Sequence, residues 1–279
     1  MSAQLAACAK ARAHDGFTLL ELIMVLVIMG LLAATLAVFI RSPVDAYLDT
    51  GRRAALSDAA DTALRRMSRE LRQALPNSVR SPNPQCIEFI PTRTGARYRV
   101  NDQIPGDNTG PDFSQADTQF NILAKNSAWP LDQQLRVGDL VAIYNLGPGM
   151  NDAYVADNTA PISAVTDGAE TTLRISAKQF PLASPGSRLH VIPGDETVVS
   201  YQCLGGRLLR TSQYAPASCP ATVSAPARQA VLADKVSSCD FSVGGDDLQR
   251  NSLLQLVLGL SHNDESIRLY SEVHISNVP

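Results

Sequence analysis

The chain is poor in aromatic residues, in histidine and in cysteine, and each shortage removes a class of function. One tryptophan, Trp129, and an aromatic content of 5% provide no repeated platform of the kind a sugar-binding head presents. A formal charge of -3 gives no basic excess for a nucleic-acid partner. Beyond residue 16 the histidines are His190, His262 and His274, and none sits in a catalytic frame. There is no G-x-S-x-G elbow, H-E-x-x-H or Walker loop, so the chain reads as a non-enzyme. The cysteines form no C-x-x-C pair, which argues against a zinc knuckle, and the reading includes no metal and no cofactor.

What the chain does have is one long hydrophobic run. Gly16 to Ile40 holds 24 residues after the glycine with a single charge, Glu21, and no proline. As a helix this run measures roughly 36 Å against a hydrocarbon core of about 30 Å, enough to cross with room to tilt. A secretory signal has a shorter apolar core followed by an A-x-A site, and neither description fits. A carboxylate inside such a run costs about 2.5 to 3.5 kcal/mol on insertion scales, less near an end, so Glu21 either snorkels to the headgroups or awaits a positive partner. Lys10 and Arg12 before the run and Arg41, Arg52 and Arg53 after it leave the positive-inside count nearly balanced.

The leader MSAQLAACAKARAHDG ends in Gly16 and abuts Phe17 and Thr18, with Glu21 four residues beyond Phe17. This segment resembles the type IV prepilin signal. The resemblance implies cleavage after Gly16 by a prepilin peptidase on the cytoplasmic side, N-methylation of the new terminus Phe17, and retention of the apolar helix as a single membrane pass. It also implies that Glu21 pairs with the terminal amine of a neighbouring subunit during assembly. Asp15 departs from the usual neutral or basic leader. Removing the leader takes the formal charge from -3 to -4.

Beyond the span, Ser42-Pro43 is expected to bend or briefly interrupt the helix. Tyr47, Gly51, Ala55, Ala59, Ala63, Met67 and Leu71 then recur every four residues, flanked by Leu48, Leu56, Leu64 and Leu75, and predict one apolar stripe. The opposite face carries Arg52, Arg53, Asp58, Asp61, Arg65, Arg66, Arg69, Glu70 and Arg72, and reads as a solvated face or a contact with neighbouring subunits. Pro76 and the Ser81–Pro84 stretch end the helix. The expected divisions are a leader at 1–16, a transmembrane helix at 17–40, an amphipathic helix at 41–76 and a globular head at 77–279.

From Cys86 onward short runs of period two alternate with glycine, proline, asparagine and aspartate, which predicts strands. Ten are expected: Cys86–Ile90, Arg97–Val100, Phe120–Leu123, Leu140–Tyr144, Thr171–Ile175, Leu189–Ile192, Thr197–Cys203, Arg207–Arg210, Leu253–Leu260 and Ile267–Ile275. Gly205-Gly206 supplies the positive φ angles of a tight hairpin turn. The fold class is therefore α+β: a long N-terminal helix packed on a mostly antiparallel β-sheet head. With Cys8 in the leader, Cys86, Cys203, Cys219 and Cys239 remain, and an oxidising periplasm makes two disulfides with three connectivities. Cys203 and Cys219 bracket the hairpin 16 residues apart and are expected to pair, leaving Cys86 to Cys239.

Asp102, Asp107, Asp112 and Asp117 recur every five residues but lack an EF-hand pattern, and the reading is a solvated loop, with calcium on its oxygen ligands as the alternative. In the loop Asn145–Thr159, Met150 and Tyr154 are candidate contacts to a partner. SCDF at 238–241, the terminal ESIRLYSEVHISNVP, CIEFIP, GARYRV and VGDLVAIYN resemble the MshO group, minor pilins of mannose-sensitive haemagglutinin pilus biogenesis. That resemblance implies an inner-membrane protein with a periplasmic head, whose partners are other major and minor pilins and the inner-membrane pilus assembly platform. The alternatives are a J-type pseudopilin of type II secretion and a pilus-tip adhesin.

Overall fold

A computed structural model describes residues 16–213, 219, 227–244 and 251–279. Leader residues 1–15, including Cys8, Lys10, Arg12 and Asp15, lie outside the described residues. The chain divides into two compact units, Met1–Gly51 and Arg52–Pro279.

One helix, α1, runs from Leu19 to Arg72. It continues through Pro43, so the expected interruption there does not occur. A proline removes a single intrahelical donor, and the ladder resumes on the next turn. The helix stops at Arg72, four residues short of Pro76, in a tighter last turn with Gln73 N–H donating to Glu70 O and Ala74 N–H to Leu71 O.

The apolar stripe needs correcting. Leu56, Ala60, Ala63, Leu64, Met67 and Leu71 are buried, whereas Ala55 and Ala59 are exposed. A four-residue repeat drifts by about 40° per step on a helix of 3.6 residues per turn, so it cannot follow one face for long. The buried line mixes steps of four and three instead.

Fourteen strands follow among the described residues. In chain order they are β1 Arg80–Asn83, β2 Cys86–Phe89, β3 Thr94–Arg97, β4 Asp117–Ile122, β5 Leu140–Ile143, β6 Thr159–Asp167 and β7 Thr171–Lys178. Then come β8 Arg188–Ile192, β9 Val199–Leu204, β10 Arg207–Ser212, β11 Arg228–Asp234, β12 Val236–Gly244, β13 Asn251–His262 and β14 Glu265–Ser276. They form an antiparallel five-stranded sheet, β1-β2-β9-β10-β11, a three-stranded sheet, β12-β13-β14, and a six-stranded sheet, β3-β8-β5-β6-β7-β4. The α+β architecture thus holds, with three sheets in place of one.

The first two sheets wrap α1. Ile87, Phe89, Tyr201 and Leu208 from one, and Phe241, Leu254, Leu256, Leu258 and Val273 from the other, close a single core over its buried line. Gly205 and Gly206 make the β9–β10 turn with φ of 59° and 74°, both in the left-handed region that favours glycine.

The third sheet is an insertion between β2 and β9. Its two ends meet, because Tyr98 bridges Ile122 and Arg99 N–H donates to Asn121 O, so the six strands close into a small barrel. Phe120, Ile122, Val141, Ile162, Leu173, Phe180 and Val191 fill it. Its chain entry and exit are clamped by one buried carboxylate: Asp139 pairs with Arg93 at 2.9 Å and accepts Gly194 N–H at 3.1 Å.

A polar latch joins the end of α1 to β9 and β10. Glu70 accepts Tyr201 Oη at 2.5 Å and Arg210 Nε at 2.8 Å, and Arg210 also reaches Glu196 at 2.8 Å. Burial alone would push the Glu70 carboxyl up, but hydrogen bonds from Tyr201 and Arg210, with the Arg210 charge, outweigh it and hold it below the usual range. A depressed carboxyl contributes stability above its unfolded pKa, near 4.5, and loses it as pH falls through the folded value. Glu70→Ala is expected to cost about 2 to 3 kcal/mol at pH 7, less than a fully orphaned pair because Arg210 keeps Glu196. Urea titrations at pH 7 and pH 3 check this, since the penalty should shrink at pH 3; an equal penalty at both would exclude the charged latch.

Candidate functional site

Gly16 to Thr18 lie ahead of the helix and are exposed, and the helix begins at Leu19. Thr18 is the cap: its Oγ1 accepts Glu21 N–H at 3.3 Å while its carbonyl accepts Leu22 N–H at 3.1 Å. Thr18-Leu19-Leu20-Glu21 has the capping-box spacing, a signal present in the sequence that a reading focused on the membrane overlooked. Glu21 also lies in the first turn, where the helix dipole favours a negative charge.

The Gly16–Phe17 bond therefore sits just outside the helix. A Cβ built on Gly16 would meet nothing within 4 Å, so the chain's own packing makes no demand for glycine there. Phe17 is 81% exposed. From Leu19 to Ile40 the apolar side chains are exposed all round the helix, and none of the candidate membrane span is buried. An apolar surface of that extent is suited to hydrocarbon, which also leaves every backbone polar group paired within the helix.

The four remaining cysteines are all bonded, in a pattern other than the expected one. Cys86 pairs with Cys219, Cα to Cα 6.3 Å, and Cys203 with Cys239, 6.4 Å. Strand pleat explains the difference. Cys86 lies opposite Gln202, and Ile87 opposite Tyr201, so Cys203 shares the helix-facing side with Tyr201 while Cys86 points to the other side with Glu88. Cys203 thus meets Cys239 across the core between the two sheets. Cys219 comes to the outer side, where its N–H approaches Glu88 at 3.4 Å.

Other candidates resolve into structural roles. Tyr154 donates its hydroxyl to Ser78 O at 2.8 Å and lies under the Arg80 guanidinium, 3.7 Å from the ring centre, so it braces the barrel against the body. Met150, by contrast, is exposed. The acidic loop spends its carboxylates on its own backbone: Asp102 accepts from Gly106, Thr109 and Gly110, Asp107 from Ile104 and Thr109, Asp112 from Ser114, and Asp117 from Asp112 and Gln119. Among the described residues no three His, Cys, Asp or Glu side chains gather as metal ligands. His190 is half-buried in β8, and desolvation followed by the nearby Arg188 lowers its pKa to about 4.

Residues 11–37 match the prokaryotic N-terminal methylation motif. The chain thus carries a type IV prepilin-like signal, which supports a prepilin-type protein of the pilin or pseudopilin kind and implies processing by prepilin peptidase and assembly with other pilins. Together with the apolar helix, it fits membrane anchoring. Neither the comparison with curated proteins nor that with solved structures finds a match.

Proposed function

We propose that this chain is a minor pilin of an MSHA-type type IV pilus, of the MshO group, acting by assembly and not by turnover. The observation that carries the reading is the methylation motif placed at the start of one continuous helix, whose first part is apolar and exposed and whose last part, Arg52–Arg72, buries a side under a β-rich head. In this reading residues 1–16 are a cytoplasmic leader, 17–40 cross the inner membrane, 41–76 continue into the periplasm and 77–279 form the head. Cleavage follows Gly16, Phe17 is methylated, and the precursor passes to the pilus assembly platform and into or onto the fibre. Disulfides in the head agree with an oxidising compartment.

Glu21 supplies the pairing charge. Its replacement by alanine is expected to leave insertion intact, since a charge leaves the hydrocarbon, while impairing incorporation, since the neighbouring amine loses its counter-ion. Co-purification with tagged partner pilins measures this, and wild-type recovery of the variant would remove Glu21 from the role. Deletion of the gene tests the whole reading. Loss of fibres supports an assembly factor; intact but non-adherent fibres point to a tip adhesin, and a secretion defect with normal fibres to a pseudopilin.

A further inference from the structure

Strand β14 ends the three-stranded sheet. Its ladder with β13 runs twelve residues without a register shift, and among the described residues its other edge pairs with nothing. It contains no proline and no bulge, two of the devices that blunt an exposed edge, and its charged Arg268 and Glu272 stand on the face turned away from α1. Beside it lies a groove of about 570 Å³ between β14 and α1, whose lining includes Asp61 with its partner Arg65, Leu64, Arg69, Arg72 and Leu269.

The arginines along α1 are not equivalent. Arg53 pairs with Glu265, Arg65 with Asp61 and Arg66 with Glu70. Arg69 and Arg72, both exposed and both lining the groove, have no ion-pair partner among the described residues. Three residues apart on a helix, they stand roughly 5 to 6 Å from each other. Alternate side chains of a strand recur at about 6.7 Å on one face, so a strand laid along the β14 edge would direct every second side chain toward these two guanidinium groups. Planar guanidinium forks bind carboxylates with two parallel hydrogen bonds. The apolar floor of Leu64 and Leu269 suits an extended segment better than a free anion.

We propose that this groove binds an extended acidic segment of another protein chain, which adds as a strand to the open edge of β14 and presents carboxylates at alternate positions to Arg69 and Arg72. The backbone edge gives affinity without sequence preference, and the arginine pair selects the charge pattern. The assembly reading bears only on which chain supplies the segment.

The probe is a short labelled peptide alternating glutamate and valine, titrated by fluorescence anisotropy against the full chain in non-ionic detergent micelles. Binding is expected, weakened by about tenfold or more in Arg69→Ala/Arg72→Ala, a loss typical of charge-assisted pairs. Because both side chains are exposed, the variant should melt as wild type does. The charge-reversed Arg69→Glu/Arg72→Glu chain should prefer a lysine–valine peptide instead. Absence of binding overturns the proposal. Equal binding of the same peptide N-methylated at alternate amides, which cannot add as a strand, also overturns it, as does equal displacement by oligothymidylate. These failures would leave cleavage at Gly16 untouched, and a mature terminus other than Phe17 would leave the peptide result untouched.

Discussion

Gly16→Trp is expected to accumulate as full-length precursor in the membrane fraction, with the mature form nearly absent. The structure separates the two ways in which such a change acts. Gly16 lies in an exposed segment ahead of the helix cap, where an added Cβ meets no neighbour among the described residues, so neither folding nor insertion should suffer. The loss must then come from the peptidase, whose site has to admit the residue beside the scissile bond. Gly16→Ala adds only a methyl group and should be cleaved partially. Intact mass and N-terminal sequencing check both; normal processing of the tryptophan variant, or a wild-type terminus other than Phe17, would remove the prepilin signal as the explanation of this segment.

Loss of the Cys86–Cys219 bond should produce the larger of two disulfide effects. The two cysteines are 133 residues apart in sequence, against 36 for Cys203 and Cys239. In the chain-entropy account, closing loops of these lengths stabilises by about 5 and about 4 kcal/mol respectively, measured as single deletions. Cys86→Ser/Cys219→Ser should lose more than that difference implies, because Glu88, fully buried on the same outer side of the sheet, also loses the cover that Cys219 brings. Denaturant unfolding of each double variant under non-reducing conditions measures the order. Peptide mapping of the unreduced protein should recover Cys86 linked to Cys219 and Cys203 linked to Cys239. A Cys203–Cys219 peptide would instead restore the short closure that the hairpin spacing suggested.

That mistaken pairing shows where sequence reading stops. Spacing measures distance along the chain, whereas a disulfide depends on which side of a sheet each cysteine faces. Parity within β9 puts Cys203 and its neighbour Gln202 on opposite sides, and the side that meets the helix is fixed only once α1 docks. Elements with their own local signal were legible: the Gly205-Gly206 turn, the clean alternation of Ile267, Leu269, Val273 and Ile275, and the strand at Leu140. Four strands have no expected counterpart, and β3, Thr94–Arg97, meets the expected Arg97–Val100 only at Arg97. β1 is Arg-Ser-Pro-Asn and reads as linker, β6 contains Pro161, and β11, Arg-Gln-Ala-Val-Leu-Ala-Asp, has as much helical as strand character. β12, Val-Ser-Ser-Cys-Asp-Phe-Ser-Val-Gly, has too short an apolar alternation to mark a strand period by itself. Barrel closure depends on Tyr98 meeting Ile122 across the chain, for which a single sequence carries no local mark.

At the candidate site the balance is similar. Gly16, Phe17 and Glu21 stand out as candidates because a membrane run with one acid is rare, while the cap at Thr18, a hydroxyl three residues before a glutamate, has a sequence signal that the membrane run overshadows. Arg69 and Arg72 were visible only as members of a charged face. What sets them apart is the acids that neutralise Arg53, Arg65 and Arg66, one of which, Glu265, comes from the far end of the chain.

The barrel inserted between β2 and β9 also sets an expected order of events during folding. Phe89 and Val199 are ladder partners, yet about 110 residues separate them, and bringing the ends of a loop that long together before it has structure forfeits entropy with little return. A finished barrel removes the obstacle, since its first and last segments already lie side by side, with Arg93 N–H donating to Val191 O and Asp139 holding both crossings. The sheet that grips α1 is thus expected to zip up late, after the insertion has become a rigid stub. Asp139→Ala should therefore slow acquisition of the β2–β9 pairing more than it lowers final stability. A helix still waiting for its sheet keeps Leu56, Met67 and Leu71 uncovered, which makes the interval before zipping the one in which a chaperone has something to hold.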